Sequence, residues 1–464
     1  MKISVLIYFI FCIIYQVFAQ EDNTYVLFRN PKISIKDSIK FETIDKYHPY
    51  LFSSLSLQER DSLTRIIENR KKEYSTDSVS VTEFFRLWNP YIMRLHYEDP
   101  HHRVIPLLEI TNKRFKESKL QVLPLKVLLI NDTVVVAKSL DNNIFKGDRI
   151  ISINNVSIEN YIEYYYKDRY VPFFVLQQYY HFNYTSEYSL EIERNKKRIL
   201  IETKGISYTD ASLLLEKDDW ECVIFDDYQT GYISLKRFYR NNSLLISKLS
   251  HFIKKIQKLG YRNIIIDIRE NLGGNGDRFN HLISLFTSQD SIGYMKNQEI
   301  RVSKYVLKDY DFLKEDMLGE VISMPDKYIN KVIPLSAKKY LGEMNYYVLV
   351  SRNTGSIAAS FANILQYNNL AKLVGEPLQH NSLKYGETQP FAWESKLNVE
   401  ILSTMRFEEY TKSPDGQIYP DIEIPYIASE YMQGGDPILE KLIKYIQKQP
   451  HQFYGHENEK IYKN

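Results

Sequence analysis

Asp267-Ile268-Arg269-Glu270-Asn271-Leu272-Gly273-Gly274 and, further on, Asn353-Thr354-Gly355-Ser356-Ile357-Ala358-Ala359-Ser360-Phe361 decide how this chain is read. The first follows an apolar run, Asn263–Ile268, that predicts a buried strand, and it turns on two glycines. The second follows another such run, Tyr346–Ser351, and opens a helix at Ser356. Helix starts leave N–H groups unpaired and carry positive partial charge. Glycines let backbone come close to a bound group. A serine at a helix start beside a glycine loop thus offers a nucleophile and oxyanion donors together, which is what acyl transfer needs. Taken alone, the second segment reads rather as a helix cap on Asn353, Thr354 or Ser356.

Outward from these segments the strand–helix alternation continues. Gly231–Leu235 reads as a strand. Leu245, Leu249, Phe252, Ile256 and Leu259 predict a core-facing helix stopped at Gly260. A helix from about Arg278, a strand over Ala371–Val374 and a closing helix over Asp436–Gln447 complete the pattern, with an irregular, charged insertion over 290–343. The loop lacks the Gly-x-Gly-x-x-Gly and Gly-Lys-Ser/Thr patterns, so nucleotide binding has little support.

The preceding residues differ. Residues 45–118 read as helical, with capping boxes at Ser56/Glu59 and Ser80/Glu83 and an apolar stripe of Phe84, Trp88, Tyr91, Ile92 and Leu95. Residues 119–205 are β-rich, with strands expected over Gln121–Leu129, Thr133–Ala137, Tyr188–Ile192 and Arg198–Glu202. Between them Lys146-Gly147-Asp148-Arg149-Ile150-Ile151-Ser152-Ile153-Asn154 resembles the Gly-Asp-x-Ile-x-x-Ile-Asn signature of PDZ domains, which bind peptides by strand addition. Tyr161–Tyr188 forms an aromatic-rich insertion.

Composition is that of a globular protein. Of 464 residues 44% are hydrophobic and 25% charged, and 60 basic against 58 acidic residues leave a formal charge of +2. That balance argues against a nucleic-acid surface. Lys2 followed by the apolar run Ile3–Phe18 and Val17-Phe18-Ala19 predicts an export signal over residues 1–19, cleaved near Ala19/Gln20. No second apolar run of membrane-spanning length follows, so no stable membrane insertion is expected after cleavage. Cys222 alone remains in the mature chain, too few for a disulfide or cysteine-rich metal site, and it reads as a structural thiol.

The chain is similar to the tail-specific or C-terminal processing peptidases, the S41 serine peptidase family. Gly231-Tyr232-Ile233-Ser234-Leu235 with Phe238, then Asp267–Gly274, resemble that family's Gly-Tyr-Ile…Phe and Asp-x-Arg-x-Asn-x-Gly-Gly motifs. Thr354-Gly355-Ser356-Ile357-Ala358 resembles its Thr-x-Ser-Ala-Ala nucleophile motif. Leu373–Pro377, Tyr385-Gly386-Glu387, Tyr419–Ile424 and Gly435-Asp436-Pro437 resemble its C-terminal landmarks.

The resemblance implies an α+β fold: a ClpP/crotonase-like ββα catalytic core (206–464) after an N-terminal helical region (20–118) and a PDZ-like domain (119–205). It implies an exported endopeptidase acting on unstructured or C-terminal polypeptide segments, with no cofactor or metal. Ser356 would be the nucleophile, and the N–H groups of Ile357 and of Gly273 or Gly274 the oxyanion donors. Lys146, Gly147 and Asp148 would belong to peptide binding. His101, in Asp99-Pro100-His101-His102, would be the base, as in the Ser–His branch. Lys384 is the base of the Ser–Lys alternative, and His380 a further candidate. Asp415 would be the orienting acid, with Glu387 and Glu409 competing. Leu272, Ala359 and Leu378 depart from the family pattern, as do Pro100 and His102, and these changes leave room for an inactive, peptide-binding relative.

Overall fold

The computed structural model describes residues 33–36, 44, 46–50, 55–79, 81–106, 121–162, 170–172, 185–207, 210–214, 220–238, 242–274, 276, 279–329, 331–392 and 398–449. The export signal, the Ser80 capping box and most of the Tyr161–Tyr188 insertion lie outside them. Two helices come first, α1 (Leu57–Lys72) and α2 (Val81–Glu98). Ser56 and Glu59 form the expected capping box on α1. The α2 stripe is buried throughout. The stretch read as helical to residue 118 also holds a strand, β1 (Arg103–Pro106), because its edge pairs with a later hairpin.

A β-rich unit follows, with β2 (Leu125–Ile130), β3 (Thr133–Ser139), β4 (Arg149–Ile153), β5 (Tyr170–Pro172), β6 (Glu187–Arg194) and β7 (Lys197–Lys204). They form an antiparallel sheet in the order β7-β6-β4-β3-β2-β5. One set of its apolar residues makes the unit's own core, including Val127, Val134, Ile150 and Leu190. The alternate residues Leu128, Ile130 and Val135 pack instead against the next sheet.

That next sheet contains β8 (Trp220–Phe225), β9 (Thr230–Leu235), β10 (Asn263–Asp267), β13 (Asn345–Val350), β14 (Lys372–Gly375) and β17 (Ile422–Glu423), and it is parallel from β9 onward. Helix α3 (Asn242–Lys258) makes the crossover from β9 to β10 that parallel pairing requires. Both faces are covered. Ile264, Ile266, Val348 and Val350 share a core with α3 and with α5 (Ser356–Tyr367), whereas Ile265, Tyr347 and Leu349 pack against α6 (Pro437–Lys448). Double burial explains why these strands read as continuous apolar runs rather than alternating ones.

Residues 290–343 are not merely an irregular insertion. After the short α4 (Phe279–Ile283), they supply β11 (Met295–Arg301) and β12 (Val321–Ser323). These join β15 (Leu383–Ala392) and β16 (Asn398–Glu409) in a second antiparallel sheet, β12-β11-β16-β15, to which β1 adds through β16.

A buried ion cluster ties the end of the chain to the glycine loop. The Arg269 guanidinium donates to both Asp267 oxygens and bidentately, at 2.9 and 2.6 Å, to Asp436, which also caps α6. Burial alone would raise the Asp267 carboxyl, but the Arg269 charge and hydrogen bonds outweigh it and lower the pKa from 3.8 to about 2. The stabilisation from Asp267 is therefore complete above about 3.8 and lost as pH falls through about 2. Arg269→Ala, which strands two carboxylates, is expected to cost about 3–5 kcal/mol at neutral pH, read by denaturant unfolding. A cost below ~1 kcal/mol would mean the cluster does not hold α6 in place.

Candidate active site

The glycine loop and the serine turn leave the carboxyl ends of adjacent parallel strands, β10 and β13, so sheet register alone brings them together. Side chains then fix each loop. Thr354 Oγ1 accepts from Ser351 N–H and donates to Ile268 O, while Ser351 Oγ donates to Arg269 O at 2.6 Å. Buried Asn271 donates to Leu235 O at 3.1 Å and accepts from Gly273 N–H at 2.9 Å, and its own carbonyl accepts from Gly355 N–H at 2.9 Å.

Ser356 begins α5 with φ +49°, a left-handed conformation that non-glycine residues seldom adopt. Such strain costs of order 1–3 kcal/mol and persists only where surroundings enforce it. Gly273 is part of the enforcement, since a Cβ there would lie 2.6 Å from Ser356 Cβ. Gly274 has φ +135°, and a Cβ on it would strike Phe238 O at 1.9 Å. Of the expected oxyanion donors, Gly273 N–H is already committed to Asn271. Among the described residues the N–H groups of Gly274 and Ile357 have no partner, and both residues line a cavity of about 600 Å³ together with Ser356.

His101 lines the same cavity. Its neighbour His102 turns the other way, fully buried, with Nε2 2.6 Å from Glu400, which also accepts from Tyr91 at 3.0 Å. His102 thereby pins the segment to β16. Asp99 is the carboxylate beside His101: Oδ1 accepts from His101 N–H at 2.9 Å and lies 3.4 Å from Nδ1. Oδ2 accepts from Ser403 at 2.7 Å and is 3.1 Å from His48 Nε2. Burial alone would raise the Asp99 carboxyl, but its bonds to His101 and His48 outweigh burial and hold it well below the usual carboxylate range.

His380 also approaches Ser356. Its Nδ1 accepts from Ser356 N–H at 3.4 Å, and its ring stands edge-on to that of His101, centroids 5.1 Å apart. Burial first, then the nearby charges of His101 and Lys384, push its pKa well below 6.5, so it is neutral.

The remaining expected residues are placed otherwise. Asp415 sits on an exposed turn, accepting from Ser413, Gln417 N–H and Tyr419, away from the imidazoles, because its short loop satisfies it locally. Lys384 does line the cavity, but its ammonium is paired with Glu409 at 2.6 Å and bonded to Ser360 rather than Ser356. Glu387 lines the cavity too. Asp148 is buried and accepts from Arg194 Nε at 2.7 Å, Gly147 packs against Met432–Gly434, and the exposed Lys146 borders a separate cavity between the two units. Gly147 and Asp148 thus act in packing. Burial, then Glu221, pushes the Cys222 thiol up to about 11, which suits a structural role. Among the described residues no cluster of His, Cys, Asp and Glu could hold a metal ion.

Sequence reasoning missed Asp99, His48 and Glu400. Only Asp99 left a signal, two residues before His101 at the end of an amphipathic helix.

Residues 229–424 match the model of peptidase family S41. The chain carries an S41 peptidase domain. Among solved structures it is similar to mature CPAF, at 11% identity and a TM-score of 0.58, over 88% of this chain and 95% of that one. Mature CPAF complexed with lactacystin matches at 12% identity and 0.58, over 87% and 94%. The photosystem II D1 C-terminal processing protease matches at 12% identity and 0.43, over 92% and 98%. The curated proteins contain no match. At such identities the likeness to CPAF establishes the fold, in which the matched residues hold both central sheets except β8 and β1.

Asn271→Ala removes two buried hydrogen bonds of the S41 loop and leaves Leu235 O and Gly273 N–H without their partner. A stability loss of about 1–3 kcal/mol is expected in denaturant unfolding. An unchanged midpoint would show that the loop holds itself without this side chain.

Proposed function

We propose that this chain is an exported serine endopeptidase that cuts unstructured polypeptide through an acyl-enzyme on Ser356. The observation that carries the reading is the strained Ser356 at a helix start, sharing one cavity with His101 and with the N–H groups of Gly274 and Ile357, unpartnered among the described residues. His101 takes the serine proton and passes it to the leaving amine. Asp99 faces Nδ1, which leaves Nε2 for the substrate side, as the orienting acid of a triad does. Gly274 and Ile357 N–H receive the oxyanion, and water then hydrolyses the ester. His380, held neutral, accepts the Ser356 amide and fixes the turn. The apolar run at residues 3–18 supports export, and among the described residues no helix is long and apolar enough to cross a membrane.

The second reading is an S41-like protein that binds peptides without cutting them. The contact of His101 with Asp99 favours it: at 3.4 Å from Oδ1 the buried Nδ1 makes no hydrogen bond among the described residues.

Residues 20–464 should degrade reduced casein, followed by mass spectrometry. Ser356→Ala and His101→Ala are expected to lower kcat/KM at least ~10³-fold, Asp99→Asn ~10²-fold or more, and Ser360→Ala less than ~10-fold. A folded wild type that cuts nothing selects the binding reading. Loss of activity in Ser360→Ala comparable to that in Ser356→Ala would move the nucleophile to Ser360 and its base to Lys384.

A further inference from the structure

The floor of the cavity carries charge that this mechanism does not use. Ser360 lies one helical turn beyond Ser356 on α5, about 6 Å deeper. Its hydroxyl donates to Glu409 at 2.6 Å and accepts from Lys384, and Lys384 is paired with Glu409 at 2.6 Å. Asn363 Nδ2 satisfies the other Glu409 oxygen at 3.1 Å. Tyr294 stands beside Glu409 and Ser360. Ser360, Lys384 and Glu409 are all buried, and Ser360, Lys384 and Tyr294 line the cavity.

An ammonium has three hydrogens to give. Among the described residues Lys384 gives two, to Glu409 and Ser360, which leaves one for an occupant of the cavity that Lys384 lines. A buried donor without a partner is costly, so an occupant that brings an acceptor gains what an apolar one forfeits. The walls leading down to it are apolar: Phe279, Ile333, Ile357 and Phe407. Glu409 already balances the ammonium. A second carboxylate would crowd Glu409 in a site of low dielectric, and a cation would meet Lys384.

We propose that Lys384, Ser360 and Glu409 form a specificity pocket for the side chain next to the scissile carbonyl, selecting an apolar stem tipped with a neutral oxygen acceptor. Glutamine fits: its length reaches the floor, its carbonyl accepts from Lys384, and its N–H can donate to the Tyr294 oxygen. The substrate class is polypeptide with glutamine at that position. The inference rests on Ser356 being the attacked-carbonyl site, as read above.

Binding separates the pocket from the chemistry. Hexapeptides of one sequence, ending in Gln, Glu, Leu or Lys, would be titrated by calorimetry into Ser356→Ala of residues 20–464. The glutamine peptide is expected to bind at least ~10-fold tighter than the other three. In Ser356→Ala carrying Lys384→Met and Glu409→Gln, which removes both charges and keeps the volume, that advantage should fall below ~3-fold. Equal affinity for the Gln and Leu peptides, tighter binding of Glu or Lys, or no binding at all would overturn the proposal. Should the triple variant fail to fold, the four affinities of Ser356→Ala decide alone. Selective glutamine binding with no cleavage by the wild type would keep the pocket and overturn the peptidase reading.

Discussion

The hydrogen bond from Gly355 N–H to Asn271 O joins the glycine loop to the serine turn. Each leaves the carboxyl end of a parallel strand, and parallel neighbours place their ends side by side. Geometry of that kind brings loops near one another but does not fix them. Fixing comes from side chains: Thr354 and Ser351 donate to Ile268 O and Arg269 O of the opposite loop, while Asn271 binds Leu235 O and its own loop's Gly273 N–H. With those groups committed, Gly273 presses on Ser356, and the serine keeps a backbone conformation it would not choose alone.

The rest of the site is imported from far along the chain. His101 belongs to a segment before the β-rich unit, yet β1 pairs with β16 and delivers it to the cavity. Two buried carboxylates secure that delivery. Asp99 is held by His48 and Ser403, and Glu400 by His102 and Tyr91. Neither carboxylate is exposed, so each would be costly without these partners. Adjacent histidines thereby serve opposite ends: His102 anchors in the core and His101 is left facing the cavity.

Lys384 shows how a titratable residue near Ser356 can be diverted. It arrives on β15 at the cavity, where sequence order suggests a base. Glu409, on the paired strand β16, and Ser360, a turn below Ser356, take its ammonium instead. The pairing turns a candidate base into part of the cavity floor.

The sequence by itself determined the buried parallel strands, the helix opened by Ser356 and the glycine loop, because each is a local pattern: continuous apolar runs, glycine pairs, a serine after a strand. It determined the expectation of His101 as well, through resemblance. The tertiary structure decided which carboxylate lies beside it. Asp415 and Asp99 differ little as text, but one lies in a self-satisfied surface turn and the other under a hairpin whose pairing spans some three hundred residues, as the Asp99–Ser403 contact does. The strands β11, β15 and β16 carried weaker local signals, since their faces are covered by elements distant in sequence. Whether an N–H is free or spent, as with Gly274 against Gly273, is likewise settled by where a neighbouring side chain folds back, and no spacing of residues along the chain encodes that.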